Sequence, residues 1–211
     1  MTTGLRWLPG IRALVADGRR FDPSTLSWRA DDADHDHAAA VDVSASEALR
    51  HLAATQSLRR VPIGIIGPRD ATAHQCALAE DLGFALARHG LQLLCGGKNG
   101  VMEAACKGHA AGGGLPIGLL PDEEWQAANR YVAIPIATGI GPARNAIIAR
   151  SCLVLVAIGG GVGTLSEMAL GLQFGRLVVA LADAPAVEGV PRLDSIETAL
   201  ARIAGRILEG L

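Results

Sequence analysis

The run from Val154 to Leu170, VLVAIGGGVGTLSEMAL, holds the residue types and spacing best suited to chemistry. Five apolar residues lead into Gly159-Gly160-Gly161, then Val162-Gly163-Thr164, and one acid, Glu167, follows the threonine. Glycine lets a backbone approach an anion closely, and the free N–H groups of an opening helix favour negative charge. Gly160, Gly161, Gly163 and Thr164 are therefore a candidate phosphate cradle. A carboxylate fixed beside it can stabilise positive charge or orient water, which makes Glu167 a candidate catalytic group. Upstream, TGIGPARN supplies Arg144, suited to holding phosphate by paired hydrogen bonds or assisting a leaving group, and Asn145 beside it. Gly96 and Gly97 in GGKNG form a second glycine turn of the same kind.

A plainer reading accounts for part of this pattern. Thr164 and Glu167 have the spacing of a capping box, in which the threonine caps the helix and the glutamate returns to its backbone. Arg144 is then a surface arginine near a helix start, and Asn145 a helix-surface amide. Arg69, after the first strand, is within reach of a phosphate on one reading and uninvolved on the other. Met102, His74 and His109 fit ordinary partly buried positions.

The familiar nucleotide signatures are missing. GPRDAT stands where G-x-G-x-x-G is required, and LLCGG carries no ribose-binding acid. Lys98 follows Gly97, but Asn99 replaces the serine or threonine of a phosphate-binding loop and the earlier glycine is absent. These gaps argue against a conventional dinucleotide or Walker-type site.

Six short apolar segments position the glycine turns: VPIGII, LQLLC, LPIGLL, YVAIPIA, CLVLVAI and RLVVAL. None alternates strictly, as expected of strands buried on both faces. Helical stretches are expected over residues 72–89, 100–111, 142–151, 165–174 and 194–208. This alternation predicts an α/β fold, a doubly wound and mostly parallel sheet with helices on both faces. In such folds ligands bind beyond the carboxyl ends of the strands, where the turns at Gly67, Gly96, Thr138 and Gly159 fall. Pro135 marks an edge strand or a bulge. Residues 1–60 are expected to form a small N-terminal extension and residues 61–211 the main domain. The extension offers a hairpin turning at Asp17-Gly18, an acidic loop and a short helix opening at Ser44 with Glu47 placed to close a cap.

Composition bounds the function. The net charge is −2, and the chain has three Trp, one Tyr and three Phe, so neither a basic surface nor stacking platforms point to nucleic acid. No segment reads as a signal peptide or a membrane span, and a cytoplasmic protein is expected. Four cysteines without metal-ligand spacing read as small core residues. The loop DDADHDH alternates acids with histidines, but His37 replaces the calcium-loop glycine and Val43 the closing glutamate, so no metal is expected. Half the residues are hydrophobic and the mean hydropathy is +0.30, which suggests a subunit interface and a homodimer.

Taken together, GGGVGTLSE, GPARNAII and GGKNGVMEAACKGHAAGGGLPIGLLP resemble the motifs of the Lonely Guy phosphoribohydrolases, also known as lysine-decarboxylase-like proteins. The nearest pattern is a bacterial sub-family with ARN in place of an Arg-Lys pair, related to DNA-processing-A proteins and molybdenum-cofactor carriers. The resemblance spans roughly residues 61–181 and implies a Rossmann-like fold. It implies hydrolysis of nucleoside 5′-monophosphates to free base and ribose 5-phosphate, with no cofactor. Gly160, Gly161, Gly163 and Thr164 would then hold the 5′-phosphate, with Glu167 and Arg144 at the ribose. Gly159 replaces that motif's proline and Asn145 its lysine. Asn145 favours the alternative, a non-catalytic carrier for a phosphorylated nucleotide or a molybdopterin-type cofactor, whereas the retained Arg144 and Glu167 favour the hydrolase, which is the reading preferred from sequence.

Overall fold

The computed structural model describes residues 4–31 and 39–209, so most of the acidic loop, Asp32 to His37, lies outside the described residues. The chain divides into two compact units, Met1–Arg60 with Leu200–Leu211, and Val61–Ala199.

The first unit holds a five-stranded antiparallel sheet of β1 (Arg6–Leu8), β2 (Ala13–Ala16), β3 (Arg19–Asp22), β4 (Ser27–Ala30) and β5 (Val41–Asp42), in the order β4-β3-β2-β1-β5. Asp17 and Gly18 join β2 to β3 with φ of 50° and 66°. Two positive φ values suit a two-residue turn whose twist matches the strands it joins. Helix α1 (Ala45–Ala54) opens with a complete capping box between Ser44 and Glu47 and buries Ala48, Leu49 and Leu52. The last turns of α6 (Ile196–Leu208) join this unit and bury Ile203, Ile207 and Leu208. There the Trp28 indole donates to the Leu208 carbonyl at 2.6 Å.

The second unit is a six-stranded parallel sheet in the order β11-β10-β6-β7-β8-β9. Its strands are β6 (Pro62–Ile66), β7 (Gln92–Cys95), β8 (Ile117–Leu120), β9 (Ile134–Ala137), β10 (Val154–Ile158) and β11 (Leu177–Leu181). The helices between them are α2 (Ala73–Arg88), α3 (Val101–Ala111), α4 (Arg144–Ser151) and α5 (Val162–Gln173). This is a Rossmann-like α/β arrangement. The chain runs outward from β6 to β9, then returns to place β10 on the other side of β6. Right-handed crossovers put α2 and α3 on one face and α5 on the other. Every residue of β10 is buried, as its unbroken apolar run demands. Pro135 lies in β9 at the sheet edge, where a missing N–H costs no ladder bond.

Helices α2 and α3 touch backbone to backbone. A Cβ on Gly108 would stand 1.8 Å from the Glu80 carbonyl oxygen, and one on Gly83 would stand 2.2 Å from that of Ala105. Glycine inside a helix costs about 1 kcal/mol against alanine, and here close packing is what it permits. No helix among the described residues is long and apolar enough to cross a membrane.

Candidate functional site

The reversal of strand order lies between β6 and β10, and the turns leaving these two strands open onto one cleft of about 450 Å³. A ligand cleft at such a switch point follows from the topology, because the crossovers diverge there.

Four glycines after β10 divide into two pairs. Gly159 (φ 58°) and Gly160 (φ 151°) have backbone conformations that L side chains rarely adopt. A Cβ on Gly159 would press on Gln75, and one on Gly160 on Thr164, at 2.2 and 2.7 Å. The turn itself requires these two. Gly161 and Gly163 differ, since a Cβ on either would meet nothing within 4 Å, and both line the cleft. No internal packing calls for glycine at these positions.

Helix α5 begins at Val162, with Gly161 as its N-cap and no side chain capping it. Its first amides therefore lack partners within the helix. This overturns the capping-box reading of Thr164 and Glu167. The helix starts earlier than expected, Thr164 already lies inside its first turn, and the Glu167 carboxylate turns to Arg144.

Arg144 opens α4 and is 7% exposed; Glu167 on α5 is 6% exposed. Arg144 Nη1 donates to Glu167 Oε1 at 3.2 Å and to Asn145 Oδ1, while Nη2 donates to the Gly96 carbonyl at 3.4 Å. Arg144 Nε is buried without a hydrogen-bond partner. Burial pushes the Glu167 carboxyl up to about 7, although the guanidinium beside it pulls the other way. Burial lowers Arg144 from its ordinary value, opposed by Glu167. A buried ion pair of this kind is poised: each charge is tolerated because of the other.

Of the residues singled out from sequence, Arg144, Asn145, Gly161, Gly163, Thr164 and Glu167 come together on the cleft wall. Gly160, Gly96 and Gly97 do not line it. Gly96 stands behind the wall, where a Cβ would lie 2.4 Å from Arg144 Nη2, so its contribution is room for the guanidinium. Gly97 has φ of 69° and packs on Leu120. Lys98 is taken up by Asp122 at 3.0 Å and the Ala127 carbonyl at 2.8 Å. Arg69, weighed either way from sequence, and Met102, expected at an ordinary partly buried position, both reach the cleft, as do Asp70, Pro121 and Pro142, which lie inside the quoted stretches without being singled out. Their common signal is position, since Pro121 follows β8 directly and Asp70 lies in the turn after β6. Among the described residues, no group of three or more His, Cys, Asp or Glu could hold a metal ion.

The model of the SLOG cluster4 family matches residues 60–202. An uncharacterised protein of Archaeoglobus fulgidus is 36% identical over 143 residues, 68% of this chain and 94% of that protein. The solved molybdenum cofactor binding protein of Rippkaea orientalis, a phototrophic bacterium, matches with a TM-score of 0.67 and 36% identity, over 72% of this chain and 99% of its own. For the molybdenum cofactor carrier protein of Chlamydomonas reinhardtii the values are 0.64 and 36%, over 71% and 99%. DNA processing protein A of Streptococcus pneumoniae has a TM-score of 0.56 at 20% identity, over 67% of this chain and 61% of that one, a likeness of fold alone.

Proposed function

The chain belongs to the SLOG cluster4 family, and from that premise we propose that it binds and carries a small phosphorylated ligand of the molybdopterin or nucleotide type. One observation carries this reading: Gly161 and Gly163 are bare where the protein has no packing reason to keep them so, at the uncapped start of α5. The helix amides there suit a single terminal phosphate. Met102, Pro121 and Pro142 give the same cleft apolar surface for a flat heterocycle, and Arg69 and Asp70 give it polar groups. Two relatives at 36% identity are a molybdenum cofactor binding protein and a molybdenum cofactor carrier. The cofactor is cargo in this reading, and the protein's part is to hold its phosphate and shield its ring.

The test is native mass spectrometry and calorimetry with a molybdopterin preparation and a panel of nucleoside 5′-monophosphates. Stoichiometric binding of either class supports the proposal. Failure of every phosphorylated ligand, with inorganic phosphate also unbound, overturns it.

A second reading is favoured by the buried Glu167 carboxylate. In N-glycosidic hydrolysis of a nucleoside monophosphate, water adds to the anomeric carbon, the C–N bond breaks and the departing base takes a proton. Glu167 would stabilise the ribosyl cation. Free base released from the same panel distinguishes a hydrolase from a carrier. Nucleic acid is the less favoured ligand on charge, although two structural likenesses are DNA processing proteins, at 20% and 18% identity. We also place the protein in a reducing cytoplasm, since its four cysteines are free thiols, and expect it to act as a homodimer.

A further inference from the structure

The hydrogen bonds around residue 145 have directions that restrict what can stand there. Arg144 can only donate, and its Nη1 serves both Glu167 Oε1 and Asn145 Oδ1. Ser166 has one hydroxyl proton and gives it to the Gly163 carbonyl at 2.7 Å. What remains to Ser166 is the role of acceptor, and Asn145 Nδ2 fills it at 2.9 Å. Position 145 must accept on one side and donate on the other. A carboxamide does both, a carboxylate cannot donate, and an ammonium cannot accept.

We infer that Asn145 is a positioning residue: its amide ties the Gly163–Ser166 turn of α5 to Arg144 and holds the guanidinium on Glu167. The inference rests on the reading of this cleft as a phosphate site and divides the labour within it. Backbone amides of α5 meet the phosphate, while Arg144 faces the carboxylate and the Gly96 carbonyl. Asn145 lines the cleft, yet each end of its amide is engaged by the protein. The amide oxygen and one of the two Nδ2 hydrogens thus set the shape of the cradle. The amide also links the first turn of α5 to α4.

The experiment compares wild type with Asn145→Ala, Ser166→Ala and the double variant. Calorimetry with guanosine 5′-monophosphate reads the cradle, and carbon-13 NMR of the glutamate carboxyls in ligand-free protein reads Glu167. Besides Arg144, the titratable groups that sense Glu167 are the buried thiols of Cys95 and Cys152, which none of the variants alters. Asn145→Ala is expected to weaken the nucleotide about fivefold or more. It should also move the Glu167 midpoint to higher pH, because a loosened guanidinium favours the carboxylate less. Ser166→Ala should shift both readouts the same way, and the double variant should go no further than the larger single, as expected of one network. Affinity within twofold of wild type and an unmoved Glu167 midpoint in both single variants overturn the inference. If Asn145→Ala does not fold, Ser166→Ala alone decides. Wild-type protein that binds no phosphate compound counts against the site reading instead, and the Glu167 titration still judges Asn145.

Discussion

Gly163 and Glu167 are the residues at which function and stability should separate. Gly163 sits in the first turn of α5 with open space where a side chain would go. Gly163→Ala should therefore stabilise the fold by about 0.5–1 kcal/mol through backbone entropy and helix propensity. The same methyl projects into space that a ligand would occupy, so affinity for a nucleoside monophosphate should fall. Thermal melting and calorimetry on one variant check both halves, and a loss of stability would show that the glycine is structural after all. For Glu167 the sign is fixed by its raised value of about 7 against an ordinary 4.5. The folded state holds this proton more tightly than the unfolded state does, so its contribution is complete below pH 4.5. As pH rises to 7 it is lost, by an amount on the order of 3 kcal/mol. Glu167→Gln cannot ionise and should show a flatter melting-temperature profile across that window. Parallel profiles for the two proteins would show that the carboxyl is already charged at the lower end.

Elements explain why some positions were legible and others were not. Short apolar runs without alternation, separated by helical stretches, specify a parallel sheet, and β6 to β11 fall within the six segments read that way. Pro135 at an edge strand follows from the chemistry of proline alone. Helix α5 starts earlier than residue 165, where the sequence pattern predicts it, because Gly-Val-Gly has the propensity of a turn and yet forms the helix start. Gly96 could not be understood from its neighbours, since its reason is Arg144, which arrives from a distant part of the chain. Gly96→Ala should push the guanidinium off the Gly96 carbonyl and loosen its pairing with Glu167. A weakened ligand site together with a lowered melting temperature is the expected result, because the buried pair loses part of its compensation. Gly108→Ala is the contrast at the helix–helix contact. Alanine improves helix propensity, yet its methyl meets the Glu80 carbonyl, and a net loss on the order of 2 kcal/mol is expected by denaturant titration.

For the molecule as a whole, the apolar composition has a visible outlet in the second unit. Ile147 on α4 and Val162 and Leu165 on α5 are 41%, 86% and 43% exposed. Exposed apolar side chains gathered on two adjoining helices favour burial against another copy. Sedimentation should report a dimer at micromolar concentration, and Leu165→Lys should shift it toward monomer. A wild-type monomer at that concentration would overturn the dimer.

The bond from Trp28 to the Leu208 carbonyl spans 180 positions in sequence. During synthesis the ribosome releases β1 to β5 early, but the helical turns that complete their unit emerge after the entire parallel sheet. The first strands must therefore wait, with Trp28 lacking its partner, while a second body is translated between the two halves of their own. Time-resolved Trp fluorescence of stalled nascent chains should show this delay. Translational pausing within residues 61–199 would then lengthen the interval in which the early strands are open to chaperones and proteases.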